Sequence, residues 1–186
     1  MTHCYVIIGP SGSGKTSLAA SVFRPDQKII THTSRSKRPS EQNEKDYYFI
    51  SKKRFQEMIS DGAFAEWDEY AGNYYGSSKL EIENRLKKAD CYAVLTASGF
   101  WRLHEIFGER IRPIFISISK ETLQKRLEDR GDSQAERSKR LALFERDQEE
   151  LQRLTSIPTL AIISNDTTFE SAQRQLVKVL QENTSR

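Results

Sequence analysis

With 186 residues the chain has room for one domain with a real core and is short for two. Hydrophobic residues make up 37% and charged residues 30%, with no apolar run long enough to cross a bilayer and no leader with a cleavage site, so the expectation is a cytoplasmic protein that makes no use of a membrane. A formal net charge of +3 is too mild for a nucleic-acid surface, and the basic clusters RSKRP and KRLEDR read better as local anion sites.

The chain opens with the apolar run CYVIIG, the helical pattern KTSLAASVF and a second short strand, KIIT. YAVLT, RPIFISIS and LAIIS are further runs rich in β-branched residues, each followed by a helical segment: Gly99 to Phe107, Lys120 to Asp129 and Thr168 to Gln181. This alternation predicts an α/β fold, a five-stranded parallel sheet flanked by helices. Cys4 and Cys91 both start strand-like runs, where a free thiol behaves as a small hydrophobe. Between Thr33 and Lys88 the pattern changes to mixed polar and aromatic segments, which reads as an insertion at 33–88. The core is then 1–32, 89–129 and 155–186. The charged stretch 130–154 reads as a small helical lid.

GPSGSGKTSL follows the first strand and opens the first helix, so Gly9, Gly14, Lys15 and Thr16 match G-x-x-x-x-G-K-[ST] in the context that gives the pattern its meaning, a P-loop. Glycines let the backbone N–H groups of Ser11, Gly12, Ser13 and their neighbours through Ser17 turn toward a phosphate at the helix N-terminus. Lys15 is placed to span the β- and γ-phosphates of ATP, and the Thr16 hydroxyl to ligate Mg²⁺. A Gly/Ser turn that merely joins strand to helix is the competing reading, against which strand, spacing and helix all agree.

Within the insertion, HTSRSKRPSEQNEKDYYFIS and FAEWDEYAGNYYGSS, followed by LQKRLEDRG, SKRL and SND, resemble the guanylate kinase family in order and in distance from the P-loop. The similarity covers nearly the whole chain and implies a P-loop NTPase core carrying an acceptor-nucleotide subdomain and a lid, with ATP and GMP as partners and Mg²⁺ as cofactor. Arg35 and Arg38 can fork onto a monophosphate, with the Tyr47 and Tyr75 hydroxyls donating to its remaining oxygens. Glu66 offers a carboxylate to the adjacent N1–H and N2–H donors of guanine, while Ser77, and Thr31 or Ser34, can donate to O6 or N7. Adenine has no N1–H and would leave Glu66 unpaired. Packing of the DYYF and NYYG aromatics in a small core is the alternative for those residues, and Trp67 and Phe49 are assigned to packing.

The resemblance places Arg130 and Arg140 in the closing lid, where they would neutralise charge on the moving phosphoryl group. Arg126 crowds the same hinge, whereas Arg137 and Arg146 suit Glu/Arg pairs on an exposed helix. Asn165 and Asp166 fall where the family contacts the donor base, although a turn and an N-cap would also use them. One stretch departs from the family. Where guanylate kinases carry two acids in a run resembling LDIDxQG, this chain has VLTASGF, with Leu95 and Ala97, or Thr96 and Ser98, at the acidic positions. Thr96 or Ser98 holding a metal-bound water is the expected substitute, and the departure bears on rate and on acceptor choice. A P-loop kinase with a different acceptor (a modified or deoxy nucleotide, or a sugar phosphate) and a nucleotide-binding module without activity are the alternatives.

Overall fold

Alternation in CYVII sends Cys4, Val6 and Ile8 to one face of a sheet and Tyr5 and Ile7 to the other, so strand β1 (Cys4–Ile8) is buried on both sides. The computed structural model describes residues 1–70, 72–129 and 133–184, the side chains of Tyr70, Glu136, Lys139, Arg140, Asn183 and Thr184 excepted. Among them, no helix is long and apolar enough to cross a membrane. β1 is followed by helix α1 (Lys15–Val22), the short strands β2 (His32–Thr33) and β3 (Tyr48–Phe49), and helix α2 (Lys52–Ser60). Strands β4 (Phe64–Tyr70) and β5 (Asn73–Ser78) come next, then α3 (Lys79–Lys88), β6 (Cys91–Val94) and α4 (Ala97–Phe107). The chain ends with β7 (Ile111–Ser117), α5 (Lys120–Asp129), α6 (Gln134–Leu154), β8 (Ala161–Ser164) and α7 (Phe169–Thr184).

β6, β1, β7 and β8 pair in that order, all parallel. On one face Tyr5, Ile7, Ile114, Ile116 and Ile163 meet Leu18 of α1 and Leu176 of α7. On the other, Val6, Ile8, Ala93 and Phe115 meet Ile82 and Leu86 of α3, Phe100 and Leu103 of α4 and Leu154 of α6. Each such fully buried aliphatic or aromatic side chain contributes about 1.5–3 kcal/mol relative to exposure. The two thiols are free, and Cys4 and Cys91 are buried register partners on adjacent strands.

The main sheet has four strands rather than five. KIIT lies along the β6 edge with one parallel bridge, Lys28 to Tyr92, and one hydrogen bond, Ile29 N–H to Tyr92 O at 2.8 Å. Then it leaves. Ile30 N–H is taken by Glu81 Oε1 at 3.3 Å, and Thr31 O accepts Tyr48 N–H at 3.0 Å, so the segment is drawn into the second sheet before a ladder forms.

That second sheet runs β3-β2-β5-β4, with β2 and β3 parallel and the other pairs antiparallel. It has its own small core, Phe55 of α2 stacked on Phe64 at 4.3 Å and on Tyr74 at 5.3 Å. Gly76 is required where it stands, because a Cβ there would lie 2.8 Å from Trp67 Cβ and 2.9 Å from Glu66 O. α3 follows this sheet in sequence yet buries Ile82 and Leu86 in the main core, so it anchors the insertion to the sheet beneath. α6 is one continuous helix of 21 residues, about 30 Å long at 1.5 Å per residue. Phe144 packs on Leu123 and Leu127 of α5, and Leu154 enters the main core.

Candidate active site at the carboxyl edge of the sheet

Parallel pairing gathers the carboxyl ends of β1, β6, β7 and β8 along one edge, where open α/β sheets bind ligands. The loop after β1, the start of α4 after β6, and Asn165 after β8 therefore meet there.

Gly9 has φ +142°, and a Cβ on it would lie 2.4 Å from Ile116 O, so the loop leaves β1 by passing directly over β7. Gly12 and Gly14 also have positive φ, +96° and +89°, and Gly14 caps α1. Lys15 Nζ donates to Gly9 O at 2.6 Å and Pro10 O at 2.7 Å, bridging the loop across its mouth. Thr16 and Ser17 are exposed on the first turn of α1, Ser11 is exposed and Ser13 is buried. The loop is braced from below. Asn165, only 3% exposed, donates from Nδ2 to Ser13 O at 2.7 Å, and Arg126 reaches Asn165 O at 2.6 Å from Nη2 and Gly12 O at 3.4 Å from Nη1. Asn165, expected beside the donor base, supports the loop through its amide nitrogen, and Arg126 contacts both the loop and the Asn165 main chain. Asp166 accepts Ser119 N–H at 2.6 Å, tying the turn after β8 to the segment between β7 and α5.

Burial lowers the Lys15 ammonium from its ordinary 10.5 to about 8, opposed by the charge of Asp147. Asp147 on α6 is in turn raised by burial, with Lys15 opposing. Sequence reading missed this acid because FERDQEE looks like an ordinary solvated helix face.

Across the crevice, Thr33, Ser34 and Arg35 run beside β5. Ser34 Oγ accepts Tyr74 N–H at 2.9 Å and so ties β2 to β5, while Thr31 lies half-buried where the chain enters β2. The Arg35 guanidinium lies 5.6 Å from the Tyr47 ring centre and 5.7 Å from that of Phe49. Tyr75 stands against Tyr47, ring centres 6.1 Å apart. Glu41 grips Arg35 with both oxygens, Nη2 to Oε1 at 2.6 Å and Nη1 to Oε2 at 3.0 Å, and also accepts Arg38 N–H at 2.8 Å. Arg35 beside it holds the Glu41 carboxyl below its usual range. The Arg38 side chain is exposed. Phe49, assigned to packing, also walls the guanidinium.

Glu66 is 8% exposed. Its Oε1 accepts Ser77 N–H at 2.9 Å, its Oε2 lies 3.6 Å from where a Cβ on Gly99 would be, and the Ser77 hydroxyl is buried beside it. Burial pushes the Glu66 carboxyl up, with Ser77 and Arg102 opposing. At the start of α4, Thr96 Oγ1 accepts Gly99 N–H at 3.2 Å and lies 3.0 Å from Ser98 Oγ, both residues exposed.

The sequence matches the protein-family model described as guanylate kinase over residues 1–183. A guanylate kinase of Vibrio cholerae is 38% identical over 144 residues, 74% of this chain and 70% of the relative. One of Hahella chejuensis is 33% identical over 179 residues, 94% of this chain and 84% of the relative. This chain belongs to the guanylate kinase family. The crystal structure of the guanylate kinase from Anaplasma phagocytophilum shares the fold, with a TM-score of 0.70 at 24% identity over 100% of this chain and 87% of that one.

In this guanylate kinase family member Arg130, expected in the lid, lies outside the described residues, and so does the side chain of Arg140, whose backbone is part of α6. Arg137 of α6 pairs with Glu128 of α5 at 3.1 Å, so its partner lies on the neighbouring helix rather than along its own. Among the described residues no cluster of three or more His, Cys, Asp or Glu could hold a metal. An exposed hydroxyl on the first turn of α1 suits a hydrated Mg²⁺, which takes most of its ligands from water and phosphates.

Proposed function

We infer that the protein catalyses ATP + GMP = ADP + GDP, as a nucleoside monophosphate kinase. The observation that carries this is the presence, on one chain of this family, of both a glycine-shaped loop over the sheet edge and an arm on which Arg35, Tyr47 and Tyr75 lie together with Glu66 further along the same sheet. The loop N–H groups and Lys15 hold the donor phosphates, and Asn165 and Arg126 keep the loop in shape. Thr16 would hold Mg²⁺, which when bound neutralises charge on the β- and γ-phosphates.

Arg35 and Arg38 bind the acceptor phosphate, with the Tyr47 and Tyr75 hydroxyls on its other oxygens. Glu66 Oε2 accepts from guanine, and the buried Ser77 hydroxyl, with Thr31 or Ser34, serves O6 and N7. Thr96 borders the base at the start of α4. An oxygen of the GMP phosphate attacks the γ-phosphorus as the bond to the ADP oxygen breaks; the nucleophile is already ionised and needs no side-chain base. Arg130 and Arg140 supply positive charge to the moving group from the lid.

A different acceptor is the second reading, favoured by the neutral Thr96–Ser98 pair at the end of β6. The test is ADP formation from Mg-ATP with GMP, dGMP, AMP, CMP and UMP offered separately, beside Lys15→Ala. Lys15-dependent turnover with GMP supports the first reading. Turnover only with another acceptor moves the assignment to that acceptor, and ATP binding without any turnover removes it.

A further inference from the structure

Resting on the reading of Arg35 as the acceptor-phosphate arginine, we propose that Glu41 is a positioning residue for acceptor binding: it fixes Arg35 so that one defined edge of the guanidinium faces the phosphate. A guanidinium has five N–H groups in a rigid plane. Glu41 takes one from Nη1 and one from Nη2, at 3.0 and 2.6 Å, and Ser36 O takes the second from Nη1 at 2.7 Å. The Tyr75 hydroxyl also bonds this guanidinium, and the groups outside the Glu41 and Ser36 contacts are Nε–H and the second Nη2–H. These are parallel and lie on one edge, the side-on pair that fits two oxygens of a phosphate.

The grip is built rather than incidental. The two side chains are only 17% and 15% exposed, the plane is walled by Tyr47 and Phe49, and the Tyr75 hydroxyl interacts with the same guanidinium. Glu41 also accepts Arg38 N–H, so one carboxylate sets the backbone at the second arginine as well as the side chain of the first. Without it Arg35 would have to lose rotamer freedom at the moment of binding, and the acceptor's affinity would bear that cost.

The neutral, equal-sized Glu41→Gln tests this, because its amide would set donor against donor on the guanidinium. Titration calorimetry with GMP and with guanosine separates phosphate from base recognition, and inorganic phosphate is titrated with the P-loop saturated by a non-hydrolysable ATP analogue. Expected are a roughly tenfold loss for GMP and for phosphate, the weight of a charge-assisted contact, an unchanged guanosine affinity, and no further loss when Glu41→Gln is added to Arg35→Ala. Tighter GMP or phosphate binding would make Glu41 a competitor for the site and overturn the proposal. So would unchanged affinities, or an equal loss for guanosine, which marks a general structural role. A wild type that binds phosphate in a Glu41-dependent way but neither GMP nor guanosine would sink the guanylate reading and keep this one; binding of none of the three would sink both.

Discussion

Asn165 separates two accounts of the donor site. A residue that contacts the donor base would change base preference when lost; a strut under the loop would change triphosphate affinity whatever the base. Asn165→Ala removes the Nδ2 donor from Ser13 O, a 2.7 Å hydrogen bond at a residue 3% exposed, and leaves that carbonyl only Arg126 Nη1 at 3.5 Å. Asn165 Oδ1 has no partner among the described residues, so its removal costs nothing. Leaving one buried carbonyl poorly paired costs about 1–2 kcal/mol. If loop order carries that cost, ATP affinity falls about 5- to 30-fold. Arg126 binds the main-chain oxygen of residue 165 and survives the change, so the loss should not be larger. The assay is titration of ATP, GTP and ITP into wild type and variant, with thermal unfolding alongside. Equal losses for the three nucleotides and a lower melting temperature are expected. Unchanged stability with an altered order among the bases would refute the strut.

Three further outcomes follow from the same geometry. Gly9→Ala meets both φ +142° and a carbonyl at 2.4 Å, so the loop must move off β7; a cost of at least 2 kcal/mol, roughly that of strained or overpacked positions, and loss of ATP binding are expected from denaturant titration and calorimetry. Lys15 keeps its proton only to about pH 8 when folded, against 10.5 unfolded; its burial costs about 3 kcal/mol below pH 8, and that cost is relieved as pH rises toward 10.5. Phosphates restore the charge, so ATP binding at pH 8 should take up about half a proton, read from binding heats in two buffers of different ionisation enthalpy, and Lys15→Ala should abolish the uptake. Glu66 has its folded carboxyl raised, and the proposed contact to guanine needs its ionised form: the KM for GMP should climb on acidification from a higher pH than an ordinary glutamate would give, while its contribution to stability falls as pH rises from 4.5 through the raised value. Glu66→Gln should flatten the KM profile.

The P-loop was legible because everything it needs sits in one local stretch, glycines, lysine and a helix start directly after a strand. The sheet was legible through β-branched runs. What failed was decided by which partner a group meets once the chain is folded. KIIT has the composition of a strand, but Glu81, 51 residues on, takes the Ile30 N–H that a ladder would have used. Glu41 sits in RPSEQNE and looks like a solvated loop residue; only the fold brings it onto both nitrogens of Arg35. Asn165 was located correctly after the last strand, yet the direction of its side chain depends on Ser13, 152 residues away. A short polar pattern such as SND identifies a turn and leaves open what the turn supports.

The acid-free end of β6 is best understood through Glu66. Thr96 Oγ1 and Glu66 Oε2 both lie within 3.6 Å of one point, the place a Cβ on Gly99 would take. A carboxylate in place of Thr96 would therefore share the first turn of α4 with Glu66. Like charges at that range disfavour each other's ionisation, and burial already pushes Glu66 the same way. A neutral hydroxyl spares Glu66 that second push, and it caps α4 through Gly99 N–H, so the helix N-terminus beside the Glu66 carboxylate stays ordered and favours its negative charge. At the donor side Asp147, carried by α6, sets a negative charge near Lys15 from outside the strand end.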